Sequence, residues 1–438
     1  MKWACTLICT AVALNTSALY AQDTIPETPL SDDDEPFFYR PLSDSTRYHF
    51  INYHLNKLSF YGSGRSSFEK VFEKMDSLLI MGRKSKEQIH VLHFGGSHIQ
   101  ADVWPGRVRE RLRYFSPETK GARGFIFPQK LGRSNGSRSF EVQFTGLWTP
   151  CRNTELDKQC AIGLAGISVM TYDSSSLDIT LINDHYPQYR YTLARIFHNT
   201  DSTSFAIDVV DSAFTVNRTI NYEAGYTEFA LPSPATKLRL RFTRRDSIQK
   251  NFTLYGIDLE NEDAGFRYHA VGVNGARVPS YLRCTLLAKE LKTIDPQLVV
   301  LSIGINDAKG KEFNPVLFES QYDQLVKRIK QVSPDAAILF TTNTDSFRRI
   351  RRRRYAVNKN AVVVREVMLR LAKKHNAAVW DLFNVMGGLG SINQWKKIGL
   401  AKKDRIHFSR EGYTIIGDLM YDAFINAYNS RKEQAARK

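Results

Sequence analysis

Residues 47–130 combine helical and strand-like hydrophobic spacing. Apolar side chains at helical intervals over residues 66–81 predict a helix. The apolar run 89–94 predicts a buried strand, and residues 101–114 predict a second helix. A strand, a glycine turn and a helix in this order indicate an α/β unit.

The pattern changes over residues 131–262. Short segments rich in β-branched and aromatic residues, such as SFEVQFTGLW and KLRLRFTR, are separated by Asn, Asp, Ser and Gly. Almost no helical period occurs there. About eight closely spaced strands of this kind predict an antiparallel β-sandwich or jelly roll.

Residues 263–438 return to alternating strands and helices. Predicted strands cover 266–273, 297–303, 336–342 and 377–382. Predicted helices cover 280–291, 319–331, 362–375 and 412–428. We therefore expect a doubly wound, mostly parallel α/β sheet, with the β-rich module inserted between its first and second units.

The N-terminal pattern differs from that of the rest of the chain. Lys2, the apolar run 3–14 and a small residue at Ala18 or Ala21 predict a secretory signal over residues 1–21. Residues 22–46 are acidic and contain proline, which is typical of an exposed leader. No later segment is long and apolar enough to span a bilayer. We therefore expect an exported protein.

Export changes how the cysteines are interpreted. Beyond the signal the chain has Cys151, Cys160 and Cys284. An oxidising compartment permits a disulfide, and Cys151 with Cys160 is the natural pair, although two buried free thiols remain an alternative. The cysteine and histidine spacings match no zinc template, so no metal site is expected.

The net charge of +16 includes a basic run at residues 348–354, where six of seven residues are arginine. Such a run is found in nucleic-acid-binding proteins. In an exported protein an anionic wall polymer or a membrane surface is the better partner, so no nucleic acid is expected. A solvated face without a partner stays open, as does peripheral contact with the cell envelope.

Four short motifs stand where predicted strands end or the last helix begins. They read GGSH at 95–98, GVNGA at 272–276, GIND at 304–307 and DRIH at 404–407. In open α/β sheets, functional groups gather at the carboxyl ends of the strands. We therefore expect the four motifs to lie together.

Ser97 is the candidate nucleophile of this group. A serine hydroxyl becomes reactive when a neighbouring base accepts its proton, and His407 suits that role near neutral pH. Asp404 can hold the other ring nitrogen and stabilise the cation. Backbone N–H groups of Ser97 and Gly275, with the amide of Asn306, can stabilise an oxyanion. Each motif alone is common in turns and helix caps, so the prediction depends on their combination.

The order of these motifs resembles that of the SGNH, or GDSL-like, hydrolases. On that resemblance the chain is a serine esterase with a flavodoxin-like sheet, formed by residues 47–130 and 263–438, and needs no cofactor. The family roles pass to Ser97 as nucleophile and oxyanion donor, Gly275 and Asn306 as donors, His407 as base and Asp404 as its orienting acid. The family usually has aspartate where this chain has Gly96, which leaves the support of the serine turn open.

Two further features resemble bacterial peptidoglycan O-acetylesterases. They are the inserted module and the run from Met386-Gly387-Gly388 through Trp395 to Gly399-Leu400, which is followed by DRIHFSREGY. In those enzymes the module resembles a carbohydrate-binding β-sandwich. The resemblance implies an esterase of the bacterial periplasm or cell envelope that removes O-acetyl groups from peptidoglycan or another acetylated polysaccharide. A glycan O-acetyltransferase with the same triad and a non-catalytic glycan-binding protein are the alternatives. The sequence does not predict an oligomeric state.

Three further residues are candidates for contact with the substrate. His98 follows the nucleophile, although a role at the helix start fits equally well. Trp395 can stack on a sugar ring, although core packing is the commoner role of tryptophan. Asn343 follows a predicted strand and can lie at the rim of the site, where a turn explains it as well.

Overall fold

The computed structural model describes residues 48–436, except Pro117, 183–188, 211–215, Lys311 and 352–353. The side chains of 432–436 are also not described. The predicted signal 1–21 and leader 22–46 lie outside the described residues. The described residues all belong to one unit, Phe38–Lys438.

Eleven helices are described, together with 3-10 turns at Tyr53–Leu55 and Gly82–Lys84. The helices are α1 Gly64–Met81, α2 Ser97–Gln100, α3 Trp104–Arg113, α4 Val278–Leu282, α5 Leu287–Ile294, α6 Ile305–Ala308, α7 Pro315–Val332, α8 Asn360–Lys374, α9 Leu382–Val385, α10 Ile392–Lys397 and α11 Arg410–Ala436.

Strands in the first half of the described chain belong mainly to the inserted region. They are β1 Leu58–Phe60, β2 Gln88–Gly95, β3 Gly124–Ile126, β4 Phe140–Phe144, β5 Thr149–Arg152, β6 Ile167–Thr171, β7 Ser175–Leu181, β8 Tyr191–His198, β9 Ala206–Val209 and β10 Asn217–Asn221.

The later strands complete that region and return to the α/β part. They are β11 Tyr226–Ala235, β12 Lys237–Thr243, β13 Phe252–Glu260, β14 Gly265–Gly272, β15 Leu298–Ser302, β16 Ala337–Thr341, β17 Phe347–Arg351, β18 Arg354–Val357 and β19 Ala378–Trp380.

The α/β sheet has the order β1-β19-β16-β15-β2-β14. Strands β14, β2, β15, β16 and β19 are parallel, and β1 adds an antiparallel edge. Numbered along the chain, the parallel strands follow the order 2-1-3-4-5, which is the flavodoxin-like arrangement. The predicted doubly wound sheet is confirmed. Its topological switch point lies between β2 and β15.

Helix and strand burial follow from the sequence pattern. Helix α1 buries Phe68, Val71, Phe72, Met75 and Leu78, one face of an α-helix. Strand β16 is buried along its whole length, as expected of a parallel strand covered on both faces.

The predicted helix 280–291 is wrong in its continuity. The structure has two helices there, α4 and α5, and residues 283–286 lie between them. The backbone N–H of Leu286 donates to the carbonyl oxygen of Ile162 at 3.0 Å. This tertiary bond engages the amide with another segment of the chain, so the break reflects tertiary contact that the local periodicity does not contain.

The inserted region forms two antiparallel sheets. One has the order β10-β11-β8-β13-β6-β5, with β3 also paired to β13, and the other has the order β4-β7-β12-β9. Phe242 of β12 stacks on Phe252 of β13 at 4.3 Å, and Trp148 packs edge-on against Phe242 at 5.5 Å. Apolar side chains of both sheets thus share one core.

Three strands of this region were not predicted. Strand β10 is exposed or half-buried throughout, and its sequence has no alternation of apolar and polar residues that would predict a strand. Strand β5 contains Pro150, which does not favour a strand. Strand β3 lies before the predicted boundary at residue 131 but pairs with β13. The predicted antiparallel character is confirmed, and the sheet begins earlier than expected.

Two cysteines of the inserted region are joined. Cys151 and Cys160 form a disulfide with a Cα–Cα distance of 6.6 Å, whereas Cys284 is free and buried. The disulfide alternative is therefore the one found. Within the part of the chain that the structure describes, no helix has the length and apolarity needed to cross a membrane.

Candidate active site

Ser97 stands at the carboxyl end of β2, where it begins helix α2. The preceding turn is closely packed. A Cβ atom at Gly95 would lie 2.1 Å from a side-chain carbon of Ile99, and one at Gly272 would lie 2.4 Å from the backbone nitrogen of Gln100. Glycine is therefore required at both positions so that α2 can approach the strand ends.

His407 brings the fourth motif to this serine. The Ser97 hydroxyl and the Nε2 atom of His407 are 2.8 Å apart, and Nδ1 of His407 lies 2.8 Å from Oδ2 of Asp404. With a proton on Nδ1 donated to the carboxylate, Nε2 accepts the serine hydroxyl. The three predicted residues thus form the relay of a serine hydrolase, which we call the triad.

The carboxylate of Asp404 is held by its own loop. Its Oδ1 atom accepts the backbone N–H groups of Ile406 and His407, both at 3.0 Å. Partial burial raises the pKa of Asp404, but the bonds from His407 and Ile406 outweigh that effect and hold the pKa well below its usual range. The carboxylate is therefore charged at neutral pH and can stabilise an imidazolium.

The triad is open to solvent. The side chain of His407 is 34% exposed and that of Asp404 is 42% exposed. Water and a substrate can both reach the base, as acyl-enzyme hydrolysis requires.

Gly275 lies in a turn beside the nucleophile. The backbone N–H of Ala276 donates to the carbonyl oxygen of Val273 at 2.9 Å, and Gly275 has φ +83°. A positive φ at the third position of a turn favours glycine. A Cβ atom at this position would meet nothing within 4 Å, so the requirement is conformational.

Asn306 lies between this turn and the serine turn. It belongs to α6, directly after β15, and its Nδ2 atom donates to the carbonyl oxygen of Ala276 at 3.0 Å. A Cβ atom at Gly96 would lie 3.1 Å from the same Nδ2 atom. The structure therefore brings the segments of the three predicted oxyanion donors together, and the Asn306 amide lies close to where an aspartate at position 96 would begin.

Gln100 is a residue whose role was not predicted. Its Oε1 atom accepts the backbone N–H of Asn274 at 2.6 Å, and its Nε2 atom donates to the hydroxyl of Ser134 at 2.8 Å. It thus ties helix α2 to the turn that carries Gly275. A single glutamine carries no sequence signal for such a role.

His98 packs against the ring of His407 and is buried, so its predicted contact with the substrate is wrong. Its ring centroid lies 5.4 Å from that of His407, and its Nδ1 atom lies 2.6 Å from the hydroxyl of Tyr413. Burial, and to a smaller degree the neighbouring His407, lower the pKa of His98 to about 3. It is therefore a neutral packing partner of the catalytic base.

Trp395 and Asn343 are also buried, so their predicted substrate contacts are wrong. Trp395 is 0% exposed, its indole N–H donates to the carbonyl oxygen of Met386, and its ring packs edge-on against Phe408 at 5.2 Å. The amide of Asn343 donates to the carbonyl oxygen of Thr344. Both side chains pack inside the loops around the site, so neither presents an open face to a sugar.

A second group of two histidines and a carboxylate lies on three strands: His90 on β2, His269 on β14 and Glu260 on β13, which we call the buried cluster. Nδ1 of His269 accepts the backbone N–H of Phe125 at 2.8 Å, so the proton of a neutral His269 is on Nε2, which faces Nδ1 of His90 at 3.0 Å. Arg267 binds Glu260 at 2.6 Å. A metal ion would need the lone pair of His269 Nε2, which carries a proton, and it would be repelled by the guanidinium of Arg267. The cluster therefore does not fit a metal ion.

Comparison with known proteins agrees with this geometry. Residues 253–415 match the model of the GDSL-like Lipase/Acylhydrolase family. Over these residues the chain resembles the GDSL-like hydrolases. Together with the triad, this match indicates a serine esterase similar to the SGNH hydrolases. The matched region contains Gly275, Asn306, Asp404 and His407 but not Ser97, which reaches them only through the fold.

The fold also resembles that of solved structures. A peptidoglycan O-acetylesterase has a TM-score of 0.69 and 21% identity, over 85% of this chain and 99% of that one. A lipase/acylhydrolase from Enterococcus faecalis and the acetyl xylan esterase AlAXEase each have a TM-score of 0.30 and 20% identity. They cover 37% and 36% of this chain and 77% and 81% of their own. The sequence matches no curated protein.

Proposed function

We propose that this protein is an exported esterase of the bacterial periplasm or cell envelope that removes O-acetyl groups from peptidoglycan or a related glycan. The observation that carries the proposal is the 2.8 Å contact between the Ser97 hydroxyl and His407, with Asp404 behind it. The extensive likeness to the fold of a peptidoglycan O-acetylesterase supports the choice of substrate.

The reaction begins when His407 accepts the hydroxyl proton of Ser97 through Nε2. The serine oxygen attacks the acetyl carbonyl, and the oxyanion is stabilised by the N–H groups of Ser97 and Gly275 and the amide of Asn306. The intermediate then collapses. The C–O bond to the sugar breaks, the sugar oxygen takes the proton from His407, and the acetyl group stays on Ser97.

Deacylation repeats these steps with water. His407 removes a proton from a water molecule, whose oxygen attacks the acetyl carbonyl, and acetate leaves as Ser97 regains its proton. The exposed fractions of His407 and Asp404, 34% and 42%, favour hydrolysis over transfer, because a transferase must exclude water from its acyl-enzyme. The intact hydrogen bonds of the triad argue against a non-catalytic role.

The inserted region completes the proposal as a β-sandwich module that holds the glycan. A groove of about 760 Å³ runs between helix α3 and this region. Lys130, Arg138 and Arg410 line it, are exposed and form no ion pair among the described residues. Arg410 lies three residues after His407, so this groove can continue the path of a polymer away from the triad.

The test is acetate release from O-acetylated peptidoglycan by the wild type and by Ser97→Ala. We expect the variant to lose about 10⁴-fold or more of kcat while its thermal unfolding stays close to that of the wild type. Equal release by both would disprove the mechanism. Release from acetylated xylan but not from peptidoglycan would keep the esterase and change its substrate. N-terminal sequencing of the mature protein tests export, with cleavage expected after Ala18 or Ala21.

A further inference from the structure

On either side of residues 352–353, the arginine-rich run belongs to two paired strands, β17 and β18, which the sequence did not predict and which we call the hairpin. Strand β17 pairs antiparallel with β18, with Phe347 opposite Val357 and Arg349 opposite Tyr355. Phe347 is buried, and Tyr355 and Val357 pack against the same apolar core as Phe408 of the triad loop. The base of the hairpin is thus anchored, whereas Ile350 is 61% exposed.

The hairpin carries four exposed arginines without carboxylate partners. Among the described residues, none of the four forms an ion pair: Arg348, Arg349, Arg351 and Arg354. Arg351 stands directly opposite Arg354 in the strand register, and like charges in that position destabilise a hairpin. A two-stranded hairpin is only marginally stable by itself, so an anion bound across these guanidinium groups would stabilise it.

The hairpin is attached to the catalytic loop. The backbone N–H of Phe347 donates to the carbonyl oxygen of Arg405 at 3.0 Å. The guanidinium of Arg405 lies 5.0 Å from the ring centroids of both Phe347 and Tyr355. Arg405 follows Asp404 directly in the chain and has a left-handed backbone conformation, with φ +56°. Its contacts with Phe347 and Tyr355 therefore connect the backbone beside the triad carboxylate to the base of the hairpin.

We propose that this hairpin is an anion-binding arm of the active site that holds the carboxylates of a glycan polymer while an acetyl ester on the same polymer reaches Ser97. The inference rests on the proposed function and specifies its substrate as an acidic glycan. The planar fork of arginine binds carboxylates through paired hydrogen bonds. The attachment through Arg405 joins the base of the hairpin to the loop that carries Asp404, so a polymer bound at Ser97 can extend to these cations, whereas a neutral small ester would not reach them.

A glycan fits this surface better than a membrane does. Membrane-surface segments combine basic residues with several apolar side chains that enter the lipid. The described part of this hairpin exposes one large apolar side chain, Ile350, among its arginines. Its attachment to Arg405, the residue next to Asp404, also relates the hairpin to the substrate and not to a remote face of the molecule.

The experiment replaces the four arginines together by glutamine and compares two substrates. We expect KM for O-acetylated peptidoglycan sacculi to rise about tenfold or more, because charge-assisted bonds to the polymer are lost. We expect kcat/KM for 4-nitrophenyl acetate to stay within about twofold, because that ester carries no carboxylate and the triad is intact. The second substrate also shows that the variant is folded.

A matched control removes the same charge from other exposed positions. It replaces four lysines that form no ion pair among the described residues: Lys84, Lys86, Lys292 and Lys373. An unchanged KM in the arginine variant, or an equal rise in the lysine control, would overturn the proposal. So would an equal loss on 4-nitrophenyl acetate, which would make the hairpin a support of the catalytic loop.

Pelleting assays separate this inference from the proposed function. Ser97→Ala protein, with and without the four arginine substitutions, is pelleted with deacetylated sacculi and with phosphatidylglycerol vesicles. Arginine-dependent binding to sacculi supports the arm even if the wild type releases no acetate from peptidoglycan. Arginine-dependent binding to vesicles alone would overturn it in favour of a membrane contact.

Discussion

The triad and the buried cluster both place histidine near a carboxylate, yet only the triad is arranged for chemistry. The histidine and aspartate of the triad lie in the loop before α11, whereas the buried cluster lies on strands β2, β13 and β14. In the triad, Nε2 of His407 meets a hydroxyl and the ring is 34% exposed. In the buried cluster, His269 is 0% exposed and both of its ring nitrogens face partners within the protein. A histidine near a carboxylate is therefore insufficient. The base also needs an acceptor nitrogen that faces a reactive group.

The two sets also differ in electrostatics. Burial, with smaller contributions from Arg267, Arg195 and Lys74, lowers the pKa of His90 to about 3, so this ring is neutral at physiological pH. The carboxylate of Asp404 is ionised and faces His407, which favours the imidazolium that forms during the reaction. His90 of the buried cluster is therefore a neutral packing residue, whereas the triad is arranged for proton transfer between Ser97 and His407.

The comparison is tested most strongly by Asp404→Asn. The asparagine amide would donate to Nδ1 of His407 and leave the proton on Nε2, so the ring could not accept the hydroxyl proton of Ser97. We expect kcat for 4-nitrophenyl acetate to fall roughly 10⁴-fold with little change in thermal unfolding. A loss below about tenfold would mean that the carboxylate does not orient the base.

Asn306→Ala sharpens the comparison at the oxyanion. Removing one donor from an oxyanion hole costs roughly 10²–10³ in kcat, so we expect a loss of that size with KM nearly unchanged. The matched control is Asn343→Ala, which removes another asparagine that follows a parallel strand, and for which kcat should stay within about twofold. Similar losses in both variants would point to a general packing effect.

His90→Gln tests the buried cluster, and its expected effect, a change in stability, is the smallest of those predicted. The folded protein binds a proton to His90 only near pH 3, whereas the unfolded chain does so near pH 6.5. The unfolded chain therefore binds more protons between these values, and the His90 contribution to stability is lost as pH falls through that window, by up to about 1.4 kcal/mol per pH unit.

Urea unfolding from pH 4 to 7.5 measures this effect. The variant should lose less stability on acidification than the wild type, and at pH 7.5 it should be about 1 kcal/mol less stable with unchanged kcat. The raised pKa of Glu260 acts in the opposite direction in both proteins, so the difference between them isolates His90. Identical pH dependence in the two proteins would contradict the neutral state of His90, and a loss of kcat would contradict its separation from catalysis.

Much of the α/β part could be predicted because its signals are local. Buried parallel strands such as β15 and β16 are continuous apolar runs, and helix α1 repeats its apolar residues at helical intervals. Strand β10 and the arginine hairpin could not be predicted, because their residues are polar and their pairing is decided by neighbouring strands and by Phe347 and Arg405.

Residue type and motif order by themselves determined the chemistry. The order of the motifs matches that of an SGNH hydrolase, and their residue types suit acyl transfer: Ser97, Gly275, Asn306, Asp404 and His407. The alternating elements determined the doubly wound sheet and its functional edge.

Only the tertiary structure decided which residues face the substrate and which support the site. His98 and Trp395 lie near the motifs in sequence but are buried, because the space beside His407 is filled by aromatic packing. The meeting of Ser97 and His407 across 310 positions depends on strand order, since β2 lies between β14 and β15, two strands that come much later in the chain. Local sequence carries no record of such contacts, because they arise from packing between distant segments.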